Sequence, residues 1–162
     1  MTELAAMSAS STRGLYCLRI PESAEEWETY HRIRRDVLLE ALKYAVELKD
    51  EVAPGHHPRL LCLDGKPIGS IRIDVVSSEH AALRLVAIDP VWQGQGHGAT
   101  LLHLAEEFAV ALGCTKTVVY ATPEAAGFYS KAGFAEEDWD DAYVGGIVQM
   151  VKPLAPAVGM SS

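Results

Sequence analysis

Apolar residues recur along the chain at two spacings, near two and near 3.6 residues, and the switches between them mark out the elements. Leu15 to Ile20 reads as a short strand. Ser23-Ala24-Glu25-Glu26 has the form of a capping box, which predicts a helix start there. Trp27, Tyr30, Ile33 and Val37 then fall on one helical stripe. Leu38 to Leu48 continues with helix formers and is expected to be a second helix after a break. Glu51 to Pro58 contains Pro54-Gly55 and Pro58 and predicts a loop. Leu60 to Leu63 and Ile68 to Val76 read as paired strands around the turn Asp64-Gly65-Lys66. Ala82 to Ile88 is a further strand. Gly98 to Leu112 is a helix with its stripe on Leu101, Ala105, Phe108 and Leu112, and Gly113 ends it as a C-cap. Thr117 to Tyr120 is a strand and Glu124 to Ala132 a short helix. Ala135 to Glu137 and Ile147 to Val151 are closing strands. The order β-α-α-β-β-β-α-β-α-β-β predicts an α/β (α+β) fold, a mixed and mainly antiparallel sheet with helices on both faces.

Composition narrows the class. With 162 residues, 49% hydrophobic and 22% charged, the chain suits one soluble globular domain with a sizeable core. A net charge of −8 argues against nucleic acid, which asks for a basic face. No apolar run approaches the roughly 20 residues that span a membrane. Met1 to Gly14 is small and polar without an apolar signal core, and is expected to be a flexible tail, as is Ala155 to Ser162. Residues 15–154 are then the single domain. Cys17, Cys62 and Cys114 are odd in number, widely spaced and lack metal-ligand spacing, which predicts a reduced, cytoplasmic protein.

The chemistry concentrates in one stretch, Val86-Ala87-Ile88-Asp89-Pro90-Val91-Trp92-Gln93-Gly94-Gln95-Gly96-His97-Gly98-Ala99. A strand runs into a proline, a glycine-rich turn and a helix start. Closely spaced glycines bring backbone near a ligand, and the unpaired first amides of a helix favour an anion. A Walker loop needs a lysine and a hydroxyl residue after its last glycine, but Gly98 is followed by Ala99 and Thr100. A dinucleotide fingerprint fits as Gly94-x-Gly96-x-x-Ala99. That fingerprint wants an acidic residue closing the next strand, and Thr117 to Tyr120 ends in Ala121-Thr122. The third reading is a pyrophosphate loop, Gln93-x-x-Gly96-x-Gly98.

That loop resembles the acetyl-coenzyme A loop of the GNAT superfamily of N-acetyltransferases. A second stretch, Thr122-Pro-Glu-Ala-Ala-Gly-Phe-Tyr-Ser-Lys-Ala-Gly-Phe134, is similar to that family's second motif, in the family's order and spacing. The resemblance covers roughly Arg59 to Leu154. It implies a GNAT-type sheet of 6–7 strands, acetyl-CoA as co-substrate, and an acyltransferase moving an acetyl group from the thioester to a primary amine. Gln93, Gly94, Gln95, Gly96, His97, Gly98, Ala99 and Thr100 would hold the pyrophosphate, mainly through the backbone amides of Gln95, Gly96, Gly98 and Ala99. The thioester and pantetheine would pair with backbone of Val86, Ala87 and Ile88. Thr122 stands where the family usually has an asparagine on the pantetheine arm, and Ala125 and Tyr129 would also line the coenzyme.

Tyr129 is the candidate general acid. The family often places a tyrosine beside the coenzyme sulfur, and a phenol with a pKa near ~10 stays protonated at neutral pH. Lys131 reads as a solvated surface charge. By type, Asp74, Glu79, Asp89, His56 and His57 are all candidate bases that could deprotonate an amine. Ser70, Arg72 and Asp74 alternate onto one strand face, as pocket lining or as a surface pair. No metal is expected. His56 and His57 are adjacent, and His97 and His103 lack the spacing that shares a helix face.

The acceptor is expected to be an amine-bearing small molecule or peptide. Glu136 to Tyr143 gathers five carboxylates around Trp139 and Tyr143, which suits either a cation site or a solvated hairpin loop. Many family members pair, so a homodimer is compatible with the resemblance. The alternative to an active enzyme is an acyl-CoA-binding sensor or partner domain without chemistry.

Overall fold

The computed structural model describes residues 6–38, 53–141 and 146–155. The elements are β1 (Ala6–Ser11), β2 (Gly14–Arg19), α1 (Ala24–Leu38), β3 (His56–Leu63), β4 (Lys66–Val75), β5 (His80–Ile88), α2 (His97–Ala111), β6 (Lys116–Ala121), α3 (Pro123–Lys131), β7 (Ala135–Glu136) and β8 (Val148–Pro153). The strands form one eight-stranded sheet in the order β1-β2-β3-β4-β5-β6-β8-β7, with every pair antiparallel except β5·β6. The mixed, mainly antiparallel sheet is therefore as expected, with one strand more than the upper count.

The additional strand corrects the N-terminal boundary. Ala6–Ser11, inside the stretch expected to be a tail, is β1 and pairs with β2 from Ala6↔Arg19 to Ser11↔Gly14. Met7 and Ala9 are half-buried while Ser8 and Ser10 are exposed, which is strand alternation carried by small residues. The expected second helix over Leu38 to Leu48 lies, beyond Leu38, outside the described residues.

Local chemistry explains the element ends. Ser23 Oγ accepts from the amide of Glu26 at 3.0 Å and starts α1. Asp64 and Gly65 both have positive φ, 50° and 84°, which closes a tight hairpin with the right twist. Gly113 ends α2 in a left-handed conformation, with amides of Gly113 and Cys114 on the carbonyls of Val110 and Ala109. Gly133 ends α3 the same way, with amides of Gly133 and Phe134 on Ser130 and Tyr129. β3 begins at His56, inside the expected loop. Pro58 is tolerated because β2 pairs with β3 only from Leu60 to Leu63, so its missing N–H breaks no ladder on that side.

Alternate residues of β3 face different helices. Leu61 and Leu63 join Leu101, Leu104, Phe108 and Tyr129 of α2 and α3 in the main core, whereas Leu60 and Cys62 pack with Trp27 and Tyr30 of α1. So α1 covers one face and α2 with α3 the other. Cys17 and Cys62, distant in sequence, stand opposite each other on β2 and β3 as free thiols. Among the described residues no helix is long and apolar enough to cross a membrane.

Candidate active site

Among the described residues β5 and β6 are the only parallel neighbours, and they pair over three rungs, His80↔Lys116, Ala81↔Thr117 and Ala82↔Val118. β5 then runs on to Ile88 and β6 to Ala121 without pairing to each other. Such a parting at the carboxyl ends of parallel strands is where open sheets place ligands. Two features shape the β5 side. Leu85 has a positive φ of 57°, and between Ser70↔Ala87 and Arg72↔Arg84 one residue of β4 faces two of β5. This bulge bends β5 and takes the backbone of Leu85 and Val86 out of the β4 ladder. Gly69 allows the approach, since a Cβ there would lie 2.9 Å from the carbonyl oxygen of Ala87.

Beyond Ile88 the chain turns through Pro90–Trp92 into the glycine loop. The three glycines serve different ends. Gly94 and Gly96 take positive φ of 77° and 85°, which costs an L-residue about 1–2 kcal/mol. Gly98 makes room instead: a Cβ there would meet Cζ of Phe128, on α3, at 3.1 Å. Gly96 is the N-cap of α2 and supplies no side-chain cap, so the first amides of this 15-residue helix face outward without a side-chain acceptor.

The predicted ligand residues are brought together, with differences in what each side chain does. Val86, Ala87 and Ile88 end β5. Gln93 does not reach outward, since its amide donates to the carbonyl of Ile88 at 2.9 Å and braces the loop against the strand. Gln95 is exposed. His97 was expected among the coenzyme ligands, but its side chain is 2% exposed and turned inward, with Nδ1 2.8 Å from the hydroxyl of Tyr16 and its ring edge-on to Tyr16 and Trp92. Only its backbone amide faces the loop, as N1 of α2. Burial foremost, and then the charge of Arg13, lower its pKa. Thr122 Oγ1 caps α3 by accepting from the amide of Ala125 at 3.2 Å.

Tyr129 lies on α3 at 7% exposure, and burial raises its pKa. Its position follows from the end of its own helix. Phe134 follows the Gly133 cap and packs edge-on against Tyr129, ring centroids 5.4 Å apart, and Phe128 also packs edge-on against it at 5.2 Å. The Tyr-Ser-Lys-Ala-Gly-Phe run is thus a helix terminus that clamps one phenol. Lys131 is exposed, as expected.

The candidate bases are dispersed. Asp89 is held by Arg32 of α1 at 3.0 Å. Glu79 sits at the opposite end of β5, on the hydroxyl of Thr115. His57 packs on the ring of Phe108 in the α2 core. Asp74 is buried on the α1 face, where Arg72 donates to both its oxygens at 2.9 Å, Arg84 donates at 2.8 Å, and His56 approaches to 3.6 Å. Ser70, Arg72 and Asp74 are therefore buried on one strand face rather than a surface pair, and two guanidinium groups occupy the carboxylate.

Composition alone did not assemble the neighbouring polar group. The Tyr120 hydroxyl donates to Asp140, and its ring lies 4.7 Å from Trp139 and 5.9 Å from the guanidinium of Arg84. Gln149 fixes this loop by accepting from the amides of Trp139 and Asp140 and donating to the carbonyl of Asp140. Burial and the Asp140 carboxylate push the Tyr120 phenol up to about 12. Asp140 of the acidic loop is thus engaged, while Glu136, Glu137 and Asp138 stay exposed, and Tyr143 lies outside the described residues.

Comparison with known proteins places this arrangement. Glucosamine 6-phosphate N-acetyltransferase 1 of Oryza sativa subsp. japonica is 38% identical over 53 residues, 33% of this chain and 32% of that protein, so the match spans about a third of that relative. Tetrahymena GCN5 superposes with a TM-score of 0.69 at 18% identity, covering 84% of this chain and 92% of that one. N-acetylglutamate synthase from Neisseria gonorrhoeae, complexed with coenzyme A and N-acetyl-glutamate, superposes with a TM-score of 0.70 at 18% identity, covering 86% of this chain and 35% of that one. At these identities the structural likeness is one of fold. The profile of the Acetyltransferase (GNAT) family matches residues 15–134, which include the glycine loop and the Tyr129 helix. The chain belongs to the GNAT acetyltransferase family.

Proposed function

We propose that this protein is an acetyl-CoA-dependent N-acetyltransferase acting on a primary amine of a small molecule or peptide. The observation that carries the reading is the parting of β5 and β6 after Ala82↔Val118, with the glycine loop where β5 ends and the Tyr129 helix where β6 ends. The unpaired edge of β5 over Val86, Ala87 and Ile88 offers amide and carbonyl groups to an amide-bearing pantetheine arm, much as a strand accepts a neighbour. The amides of Gln95, Gly96, Gly98 and Ala99 would hold the pyrophosphate at the α2 N-terminus. Thr122 and Ala125, at the start of α3, would line the arm. Acetyl-CoA supplies the activated acyl group as a thioester.

Tyr129 is proposed to give its hydroxyl proton to the departing thiolate. A phenol whose pKa is raised by burial is fully protonated at neutral pH, which suits an acid rather than a base. The amine must arrive or become unprotonated. Asp74 and Asp89 are both committed to arginines, which favours proton loss to solvent over a dedicated carboxylate.

Calorimetric titration with acetyl-CoA, beside NADH and ATP, tests the ligand. Micromolar binding of acetyl-CoA alone is expected, followed by thiol release with a panel of amines. Binding of NADH instead, or no binding of acetyl-CoA, refutes the reading. Binding without thiol release on any amine favours a sensor domain.

A further inference from the structure

The hairpin between β1 and β2 turns through Thr12 and Arg13, and Arg13 is the only charged residue at its tip. The tip is fixed from two sides. Ser11 Oγ accepts from the amide of Arg13 at 3.0 Å and donates to the carbonyl of Gly14 at 3.2 Å. Asp64, from the β3–β4 turn, accepts from the amide of Leu15 at 2.9 Å and fills the space beside Gly14. So held, the hairpin sets the Arg13 guanidinium over the glycine loop: Nη1, Nη2 and Cζ lie 3.3, 3.7 and 3.9 Å from where a Cβ of Gly96 would be. Arg13 is exposed, and among the described residues no carboxylate pairs with it, in a chain of net charge −8. A guanidinium without a carboxylate thus stands against the outward amides of the α2 N-terminus.

Both groups favour the same ligand chemistry, a phosphate with several acceptor oxygens. We propose that Arg13 is a phosphate-binding residue that closes over the Gly94–Gly98 loop and donates to the diphosphate of coenzyme A. The loop supplies backbone N–H groups, and Arg13 adds a charged donor from another part of the chain. This rests on the reading that the loop holds the coenzyme. Gly96 itself gains a further reason to be glycine, because a side chain there would displace the guanidinium as well as strain the turn.

The test is calorimetric titration of wild type, Arg13→Ala and Arg13→Lys with coenzyme A and with dephospho-coenzyme A, which keeps the diphosphate and lacks the 3′-phosphate. Arg13→Ala is expected to weaken both ligands by the same factor, about 10- to 100-fold, as for loss of a charge-assisted contact. Arg13→Lys should recover part of it, and the melting temperature should stay within a few degrees, since the side chain is exposed. A steeper fall of affinity with salt in wild type than in Arg13→Ala would agree with an ion pair. Unchanged affinity in Arg13→Ala overturns the assignment. A loss that disappears with dephospho-coenzyme A overturns it too, moving the contact to the 3′-phosphate. Failure of wild type to bind coenzyme A at all overturns the loop reading itself, and this assignment with it.

Discussion

Gly98 of the glycine loop and Phe128 of the Tyr129 helix are in contact, and a methyl group on Gly98 would come within 3.1 Å of the phenyl ring. The two sequence motifs of this family are therefore not separate sites but two sides of one joint. Gly98→Ala sets two effects against each other: alanine gains about 0.5–1 kcal/mol of helix propensity, and overpacking costs about 1–3 kcal/mol. A net loss of about 1 kcal/mol is expected, with weaker coenzyme binding. In a Phe128→Ala background the same change should become neutral or stabilising. Denaturant melts of the four chains measure this coupling, and additive effects would show that the contact is not felt.

Gly96→Glu introduces a side chain at a φ of 85° beside Arg13. The new carboxylate can pair with that guanidinium and lies in the path of an anion. Loss of coenzyme binding by at least 100-fold is expected, with circular dichroism unchanged and a loss of about 1–2 kcal/mol from the backbone strain. Retained affinity would remove the loop as the anion site.

Tyr129→Phe removes a hydroxyl but keeps the ring packed on Phe128 and Phe134. The affinity for acetyl-CoA should hold within a few-fold while kcat falls about 100-fold or more, the scale of a lost general acid. Equal losses in kcat and in affinity would make Tyr129 a packing residue.

Asp74→Asn is expected to act on folding rather than on chemistry. It leaves Arg72, buried, and Arg84 facing a neutral amide. Breaking a buried ion pair from one side costs about 3–5 kcal/mol. A urea melt shifted by that amount is expected. An unshifted melt with abolished turnover would instead return Asp74 to the role of base.

The pH dependence of stability should narrow from both ends. The His97 pKa is lowered from 6.5 in the fold, so its contribution is present above about 6.5 and is lost as pH falls further, when the unfolded chain takes up the proton first. Tyr120 is raised from 10 to about 12, so its contribution is present below about 10 and is lost as pH rises from 10 towards 12. Thermal melts should show His97→Gln declining less than wild type between pH 7 and 5, and Tyr120→Phe declining less between pH 10 and 12. Parallel curves in either range would exclude that group.

Local rules carried the sequence reading far, and it failed where partners came from elsewhere. The Ser23 cap, the Asp64-Gly65 turn and the Gly113 stop are decided by a residue and its near neighbours, and each was legible. β1 was not, because Ala6-Met7-Ser8-Ala9-Ser10-Ser11 alternates with so little hydrophobic contrast that it resembles a polar tail. Pro58 misled for the opposite reason: a strong local breaker is harmless at a position that β2 leaves unpaired. The glycine loop was readable because backbone conformation writes itself as glycine. Its inward-facing histidine was not, since only the fold brings Tyr16 beside His97. Arg13 gave no signal at all, because its meaning is a contact across more than 80 positions of chain. The same holds for Asp74, whose type suggests a base until Arg72 and Arg84 are seen to occupy it.

Among the described residues, three rungs between β5 and β6 join β1–β5 to β6–β8 within the sheet, although α2 touches strands on both sides. That seam is narrow within the sheet, while one core packs against residues on both sides of it, Leu83 and Val119 among them. The rungs His80↔Lys116, Ala81↔Thr117 and Ala82↔Val118 break when the seam opens, so hydrogen exchange of their amides should report that opening. Any molecule that bonds to both edges would act as an extra rung and slow that exchange. With the coenzyme at the proposed site, its binding would also stiffen the seam, and protection of the seam amides would read both at once.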